Sequence, residues 1–402
     1  MITKRKKLPG IVLRLLPLLL FWGCSSSRLP TLRYGTAQEV GMDADTLACA
    51  VDLFRQAVDK DELRGVVLLV ARQGVVVVHE AIGWRDKENE FPMQKDSLFR
   101  MASNTKPTIA TAVLILAEDG KLAFGDAAGK YLPAFAAGPG AGITIHHLLT
   151  HTSGLRIGSI FLRPLLEKSP EHPDAPSLQV EVARFGEIGP EEEPGTTYSY
   201  SNPGFNTLGA IIEVVSGQPL DVFLKERLYD PLGMHDSLNH ESQSDHARMS
   251  KVYSRRREEG EWYARWSPGD PPDYPFVRAS GGMISTAWDY AIFYQMYLND
   301  GVYYGRRILS AESVEQGTSQ QTMEVYTPEE QESRRGFYGY GWNVSQEGIY
   351  SHGGSDGTYA WVDPNREIIG LVFTQSPGGE NPRSEFRDLV AASVSEPGQG
   401  RR

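Results

Sequence analysis

Ser103 and Lys106 stand three positions apart in "FRMASNTKPTIATAVLILAEDGKL" (residues 99–122), at the head of an apolar run. Three positions along a helix return to nearly the same face, so a hydroxyl and an amine at this spacing can reach hydrogen-bond distance. That is the arrangement of a nucleophile beside its base. Serine is a weak nucleophile at its own pKa, and lysine accepts a proton only where its charged form is disfavoured. Pro107 has no backbone donor and is tolerated in a first helical turn. This predicts a helix beginning at about Ser103 or Asn104, with Ser103 at the positive end of its dipole. On this segment alone, a capping serine with Lys106 in solvent is an equally open reading.

A second cluster is "EPGTTYSYSNPGF", with Tyr200, Ser201 and Asn202. A phenol and a carboxamide two residues apart in an extended stretch point the same way. Tyr200 could relay protons beside an ammonium group, and Asn202 could bond both Lys106 and a substrate amide or carbonyl. An aromatic loop residue next to a turn asparagine is the structural alternative. The third cluster is "SHGGSDG", where His352, Gly353 and Gly354 precede Ser355 on a predicted strand. Paired glycines let a ligand approach closely, and the amides of Ser103 and Ser355 could form an oxyanion hole. A glycine-rich turn with a surface histidine is the alternative here.

The elements that must position these clusters are legible in outline. "GVVLLVARQGVVVVHEAIG" predicts a β-hairpin, and "GIYSHGGSDGTYAWVDPNREIIGLVFTQ" predicts two strands broken at Asp363-Pro364-Asn365. Between them the signals are mostly helical: 107–120, 145–150, "GFNTLGAIIEVVSG", "PLDVFLKERLYD" and "TAWDYAIFYQMYLND". The economical arrangement is an α+β fold, an antiparallel sheet built from both chain ends and flanked by helices, with a mostly helical region inserted. Residues 155–195 and 238–280 lack clean periodicity and read as functional rims or insertions. The Arg255–Arg257 run reads as a solvated face because Glu258, Glu259 and Glu261 follow. In "DADTLACAVDLFRQAVD", Leu47, Ala50, Val51, Phe54 and Val58 mark one helical face, and Cys49 reads as packing rather than chemistry.

The chain has 402 residues, of which 40% are hydrophobic and 23% charged, enough for one large domain or two small ones. Its net charge of −11 argues against nucleic acid or an anionic membrane face as main partner and favours a small-molecule or peptide ligand. The first residues read as a secretory signal: Lys4 to Lys7, a short apolar run, then Gly23-Cys24 and three serines. Removing residues 1–23 would take away five positive charges (Lys4, Arg5, Lys6, Lys7 and Arg14) and deepen the net charge from −11 to −16. Gly23-Cys24 resembles the bacterial lipobox, which implies lipidation at Cys24 and a lipid-anchored protein of the cell envelope. An uncleaved anchor or ordinary secretion is the alternative. The expected division is signal 1–23, tether 24–38, one folded domain 39–390 that carries the three clusters, and a flexible tail 391–402. With only two cysteines no disulfide framework is implied, and no phosphate loop or dinucleotide fingerprint calls for a cofactor.

The clusters occur in the order S-x-x-K, Y-x-N, H-x-G. With "ITIHHLLTHTSGL", "PGTTYSYSNPGFNTLGAIIEVVSG", "YDPLGMHDS", "ASGGMISTAWDYAIFYQMYLNDG", "YGYGW" and "SHGGSDGTYAWVDPN", the chain resembles the serine beta-lactamase and penicillin-binding-protein-like superfamily. The branch is that of class C beta-lactamases, D-alanyl-D-alanine carboxypeptidases, D-amino-acid peptidases and family VIII carboxylesterases. The resemblance implies a beta-lactamase/transpeptidase-like fold, Ser103 as the acylated nucleophile, Lys106 and Tyr200 as the general acid/base pair, and Asn202 as the substrate-orienting amide. It implies that His352, Gly353 and Gly354 line the site, and that the amides of Ser103 and Ser355 hold the oxyanion. It also makes His151, beside His146 and His147, a structural residue in a mechanism that needs no metal. Dedicated beta-lactamases of this branch carry lysine where this chain has His352. A histidine of ordinary pKa, about 6.5, is mostly neutral at pH 7, which turns the expectation toward neutral esters or D-amino-acid amides, with anionic substrates favoured as pH falls toward 6. The alternatives are a true beta-lactamase or carboxypeptidase, and a non-catalytic penicillin-recognising module.

Overall fold

The computed structural model describes residues 29–156, 163–256, 260–271 and 274–394. β-Branched and aliphatic runs at both ends of the chain meet in one sheet. Its strands are β1 (Arg33–Tyr34), β2 (Gly65–Arg72), β3 (Val75–Asp86), β4 (Gly336–Tyr338), β5 (Asn343–Ser345), β6 (Tyr350–Gly353), β7 (Thr358–Asp363) and β8 (Ile368–Thr374). Their order is β1-β3-β2-β8-β7-β6-β5-β4, and the short strand Phe91–Pro92 adds to β3. All neighbours are antiparallel except β1, which runs parallel to β3. The expected sheet from both chain ends is therefore present, with the parallel β1 as the one departure.

Strand alternation sends successive side chains into two different cores. Val66, Leu68 and Val70 face a layer formed by α1 (Ala44–Asp59), with Phe54 set edge-on to Phe386 near the chain's end. Val67, Leu69 and Ala71 face the larger core, which takes in the apolar sides of α2 (Thr105–Glu118), α3 (Leu178–Ile188), α4 (Asn202–Ser216) and α5 (Ala287–Leu298). The last helix, α6 (Arg383–Ala392), supplies Phe386 and Val390 to the first layer. Gly370 lies opposite Trp361, and a Cβ there would fall 2.1 Å from the indole, so only glycine lets that ring lie across β8.

Several boundaries differ from the sequence expectations. Within the segment read as a tether, residues 33–34 form β1. Within the segment read as a tail, α6 runs to Ala392 and Val394 bridges Met42. The stretch 155–195 contains α3, capped by Ser177, and 238–280 contains a hairpin pairing Val252–Arg255 with Trp262–Trp266. Cys49 is exposed, so it does not pack; α1 buries Leu47, Ala50, Val51, Phe54 and Ala57 instead. The signal and Cys24 lie outside the described residues.

Candidate active site

The nucleophile candidate sits on a strained turn. Ala102 has φ +45°, a left-handed conformation that non-glycine residues adopt only when their surroundings hold them there. The surroundings are specific: Thr105 Oγ1 donates to the Ala102 carbonyl (2.7 Å) and accepts from Met283 N–H (2.9 Å), while Met101 N–H donates to the Met283 carbonyl (2.9 Å). A 3-10 turn, Ala102–Asn104, then runs straight into α2, matching the expected helix start. Ser103 is thereby presented one helical turn before Lys106.

Lys106 is 0% exposed, and its Nζ has three neighbours. It lies 2.8 Å from Asn202 Oδ1, 2.8 Å from the Ser280 carbonyl and 3.2 Å from Ser103 Oγ. The first two can only accept, so they take two N–H bonds. The third is a hydroxyl that can donate. A neutral amine is satisfied by this shell when the Ser103 hydroxyl donates to its lone pair, and an ammonium when that hydroxyl accepts. Burial, and secondarily the Arg278 guanidinium, hold Lys106 well below the usual ammonium pKa, which favours the neutral state. The alternative of a capping serine with Lys106 in solvent is thus replaced by direct contact.

Tyr200 and Asn202 reach this centre by a different route from the extended stretch expected. Ser201 is the N-cap of α4, Asn202 is its first residue, and the Ser201 hydroxyl accepts from Gly204 N–H at 2.9 Å. The Ser201 N–H donates to His151 Nδ1 (3.0 Å), and the His151 ring packs 4.3 Å from that of Tyr200. His151 itself has φ +60° and is fully buried. It is a platform that fixes Tyr200, Ser201 and Asn202 together. Tyr200 lies over the amine, ring centroid 4.7 Å from Nζ, and its hydroxyl hydrogen-bonds Ser103. Desolvation pushes the phenol up to about 12, with the Ser103 hydrogen bond pulling the other way. Two-fifths of the residue still faces solvent, so this neutral phenol stands between Ser103 and water.

The strand β6 closes the site from the opposite side. Gly354 follows it directly, and a Cβ there would lie 2.4 Å from the Met101 carbonyl and 2.4 Å from Thr358 Oγ1. Only glycine lets the chain after β6 abut the nucleophile turn, bringing Ser355 beside it. Ser355 is in the turn between β6 and β7, not on a strand as expected. His352 is 3% exposed. Its Nδ1 pairs with the Gly353 carbonyl (2.9 Å), which fixes a proton there, so Nε2 accepts from Tyr338 Oη at 3.1 Å. Burial first, then Lys106, depress it to about 3. Burial thus disfavours the charged form, unlike the expected imidazole of ordinary pKa, and both ring nitrogens are engaged by the protein.

Sequence reasoning missed Ser280 and Tyr338. Ser280 is held by its own N–H donating to Asn206 Oδ1 (3.0 Å), so that its carbonyl can face Lys106. The signal was the "RASGGM" turn: a Cβ on Gly282 would lie 2.7 Å from the Arg278 carbonyl. His146 and His147 are engaged elsewhere, with Tyr340 Oη (2.9 Å) and Thr144 N–H (3.3 Å) respectively. Among the described residues no group of three His, Cys, Asp or Glu side chains is placed to hold a metal ion.

A family model described as Beta-lactamase matches residues 50–394. Protein Rv1367c of Mycobacterium tuberculosis is 30% identical over 361 residues, covering 80% of this chain and 88% of that protein. Esterase EstB of Burkholderia gladioli is 38% identical over 206 residues, 48% of this chain and 52% of the esterase. Among solved structures, simvastatin synthase (LovD) of Aspergillus terreus superposes with a TM-score of 0.73 at 22% identity, covering 89% of this chain and all of that one, a likeness of fold.

Proposed function

The chain belongs to the beta-lactamase family, and from that premise we propose that it is a serine hydrolase acting on small esters or D-amino-acid amides through an acyl-enzyme on Ser103. The observation that carries the reading is the buried Lys106 amine, within hydrogen-bond distance of Ser103 Oγ and with its charged form disfavoured by burial. Lys106 accepts the hydroxyl proton as Oγ bonds to the carbonyl carbon, and the carbonyl oxygen takes the displaced electron pair. The amides of Ser103 and Ser355 hold that oxyanion, donors of a kind worth about 10²–10³ in rate each. Collapse breaks the bond to the leaving group, which receives the proton from the Lys106 ammonium through the Tyr200 hydroxyl. Water then attacks the acyl-enzyme, giving its proton to the same pair, and Ser103 is released with its hydroxyl restored. Asn202 orients the substrate while holding the amine.

A cleft of about 80 Å³ beside Gly281 and Gly282 is walled by Trp266, Tyr274 and Phe276, with Arg100, Arg278 and Glu241 also lining it. His352 offers no cation to a substrate carboxylate, which weighs against the beta-lactamase alternative. The similarity to a protein named an esterase points the same way. If Cys24 is lipidated, this chemistry takes place at the cell envelope.

The test is covalent labelling. A fluorophosphonate should label the protein at Ser103, with Ser103→Ala abolishing both labelling and ester hydrolysis while leaving the thermal transition unchanged. Labelling that survives in the variant places the nucleophile elsewhere; a protein that neither labels nor hydrolyses any ester, D-peptide or cephalosporin is a binding module.

A further inference from the structure

Beyond the edge strand β4 lies a second cavity, of about 250 Å³, walled by Tyr198, Tyr326 and Tyr338 and rimmed by Arg334, Arg335 and Arg387. Two of its walls are also walls of the catalytic centre. Tyr338 bonds His352, and Tyr198 packs 6.0 Å from the His151 ring that supports Tyr200. Tyr198 and Tyr338 thus stand between this cavity and the residues that support Ser103.

Arg64, Arg184, Arg227 and Arg248 each close an ion pair with a carboxylate. Among the described residues, Arg334, Arg335 and Arg387 close none. Arg334 is stacked 3.7 Å from the Tyr326 ring centroid, and its Nε is buried with no hydrogen-bond partner. Stacking immobilises a guanidinium by its face and leaves its edge, the part that forks onto carboxylate or phosphate, unspent. The nearby carboxylates are committed elsewhere: Glu330 caps its own helix at Thr327, and Glu347 is stabilised first by Ser345 and only lastly by Arg387. On a protein of net charge −11, three converging guanidiniums are a local reversal of field.

Resting on the hydrolase reading, we propose that Arg334, Arg335 and Arg387 recognise an anionic end group, carboxylate or phosphate, on a substrate whose scissile ester or amide bond is held at Ser103. The catalytic pocket then accepts a neutral carbonyl, and the charge is read at a distance.

Binding and turnover separate the two readings. The Ser103→Ala protein is titrated calorimetrically with suberate, hexyl phosphate and the neutral hexanamide. The Ser103 enzyme is assayed on the p-nitrophenyl hemiester of suberate against p-nitrophenyl octanoate. The anions should bind at least tenfold more tightly than the amide, and the stronger anion identifies the end group. Arg334→Gln with Arg387→Gln should weaken that binding, and kcat/KM for the hemiester, about tenfold, leaving octanoate turnover unchanged; Arg335→Gln, on an exposed side chain, should act in the same direction. Anions that do not bind, binding indifferent to the arginines, or equal losses on both esters overturn the proposal. Arginine-dependent binding without hydrolysis of any ester leaves the anion site standing and removes the hydrolase.

Discussion

The Nζ of Lys106 lies 3.2 Å from the Oγ of Ser103, and the amine is wholly removed from solvent. The pairing fixes a pH dependence. The base must be unprotonated, and burial holds its pKa well below the ordinary lysine value of about 10.4, so kcat/KM for a neutral ester should rise with pH along a limb well below that value. Tyr200, pushed up to about 12, keeps its proton throughout that range. Lys106→Ala should lower kcat/KM by about 10²–10⁴. A pH–rate profile whose acid limb falls near the ordinary lysine value would show that the amine is not desolvated in solution.

His352 should not titrate in the working range. With its pKa depressed to about 3, the ratio of anionic to neutral ester turnover should stay flat between pH 8 and 6. A rise toward pH 6 would restore the sequence-based expectation of an exposed imidazole. His352→Lys would bury a second amine beside Lys106, so a loss of thermal stability is expected rather than a gain in cephalosporin turnover. Tyr338→Phe removes the donor to Nε2 and leaves it unpaired at a cost of about 1–3 kcal/mol, visible as a lowered Tm.

The difference between those expectations shows where sequence reading ends. The Ser103–Lys106 contact was legible because three residues on one helix fix their own geometry. The sheet was legible because both faces of β2 and β8 are buried, leaving uninterrupted apolar runs. The state of His352 was not, since it depends on Tyr338, fourteen residues away on a different strand. Ser280 was likewise hidden, because a backbone carbonyl carries no residue signature. In 155–195, Leu178, Val182 and Phe185 do keep helical spacing, but the prolines before Ser177 obscured it.

His151 should behave as a positioning residue. Its Nδ1 accepts from the Ser201 amide, and its ring supports Tyr200. His151→Asn keeps a side chain that tolerates φ +60° but removes the ring. The expected result is a fall in kcat of about tenfold or more with KM little changed, as Tyr200 loses its alignment. Equal changes in kcat and thermal stability upon His151→Asn and Phe205→Leu would mean that the ring only fills space.

The two glycines after His352 make the sharpest comparison, because they are adjacent and the sequence treats them alike. At Gly353 the nearest atoms to an added Cβ are 3.6 and 3.7 Å away, ordinary contact. At Gly354 they are the Met101 carbonyl and Thr358 Oγ1, each at 2.4 Å. Neither can yield easily: Met101 precedes the strained Ala102, and the Thr358 hydroxyl is bonded to the Met101 carbonyl (3.2 Å) and to Asn104 Nδ2 (2.9 Å). Gly354→Ala must therefore push the turn after β6 away from the nucleophile turn, separating the amide of Ser355 from that of Ser103. Overpacking of this kind destabilises by about 1–3 kcal/mol, and loss of one oxyanion donor lowers kcat by about 10²–10³. Gly353→Ala should leave both within a small factor of the parent. Steady-state kinetics and thermal melts of the two variants check this directly, and equal behaviour would mean that Gly354 does not set the distance between the two amides.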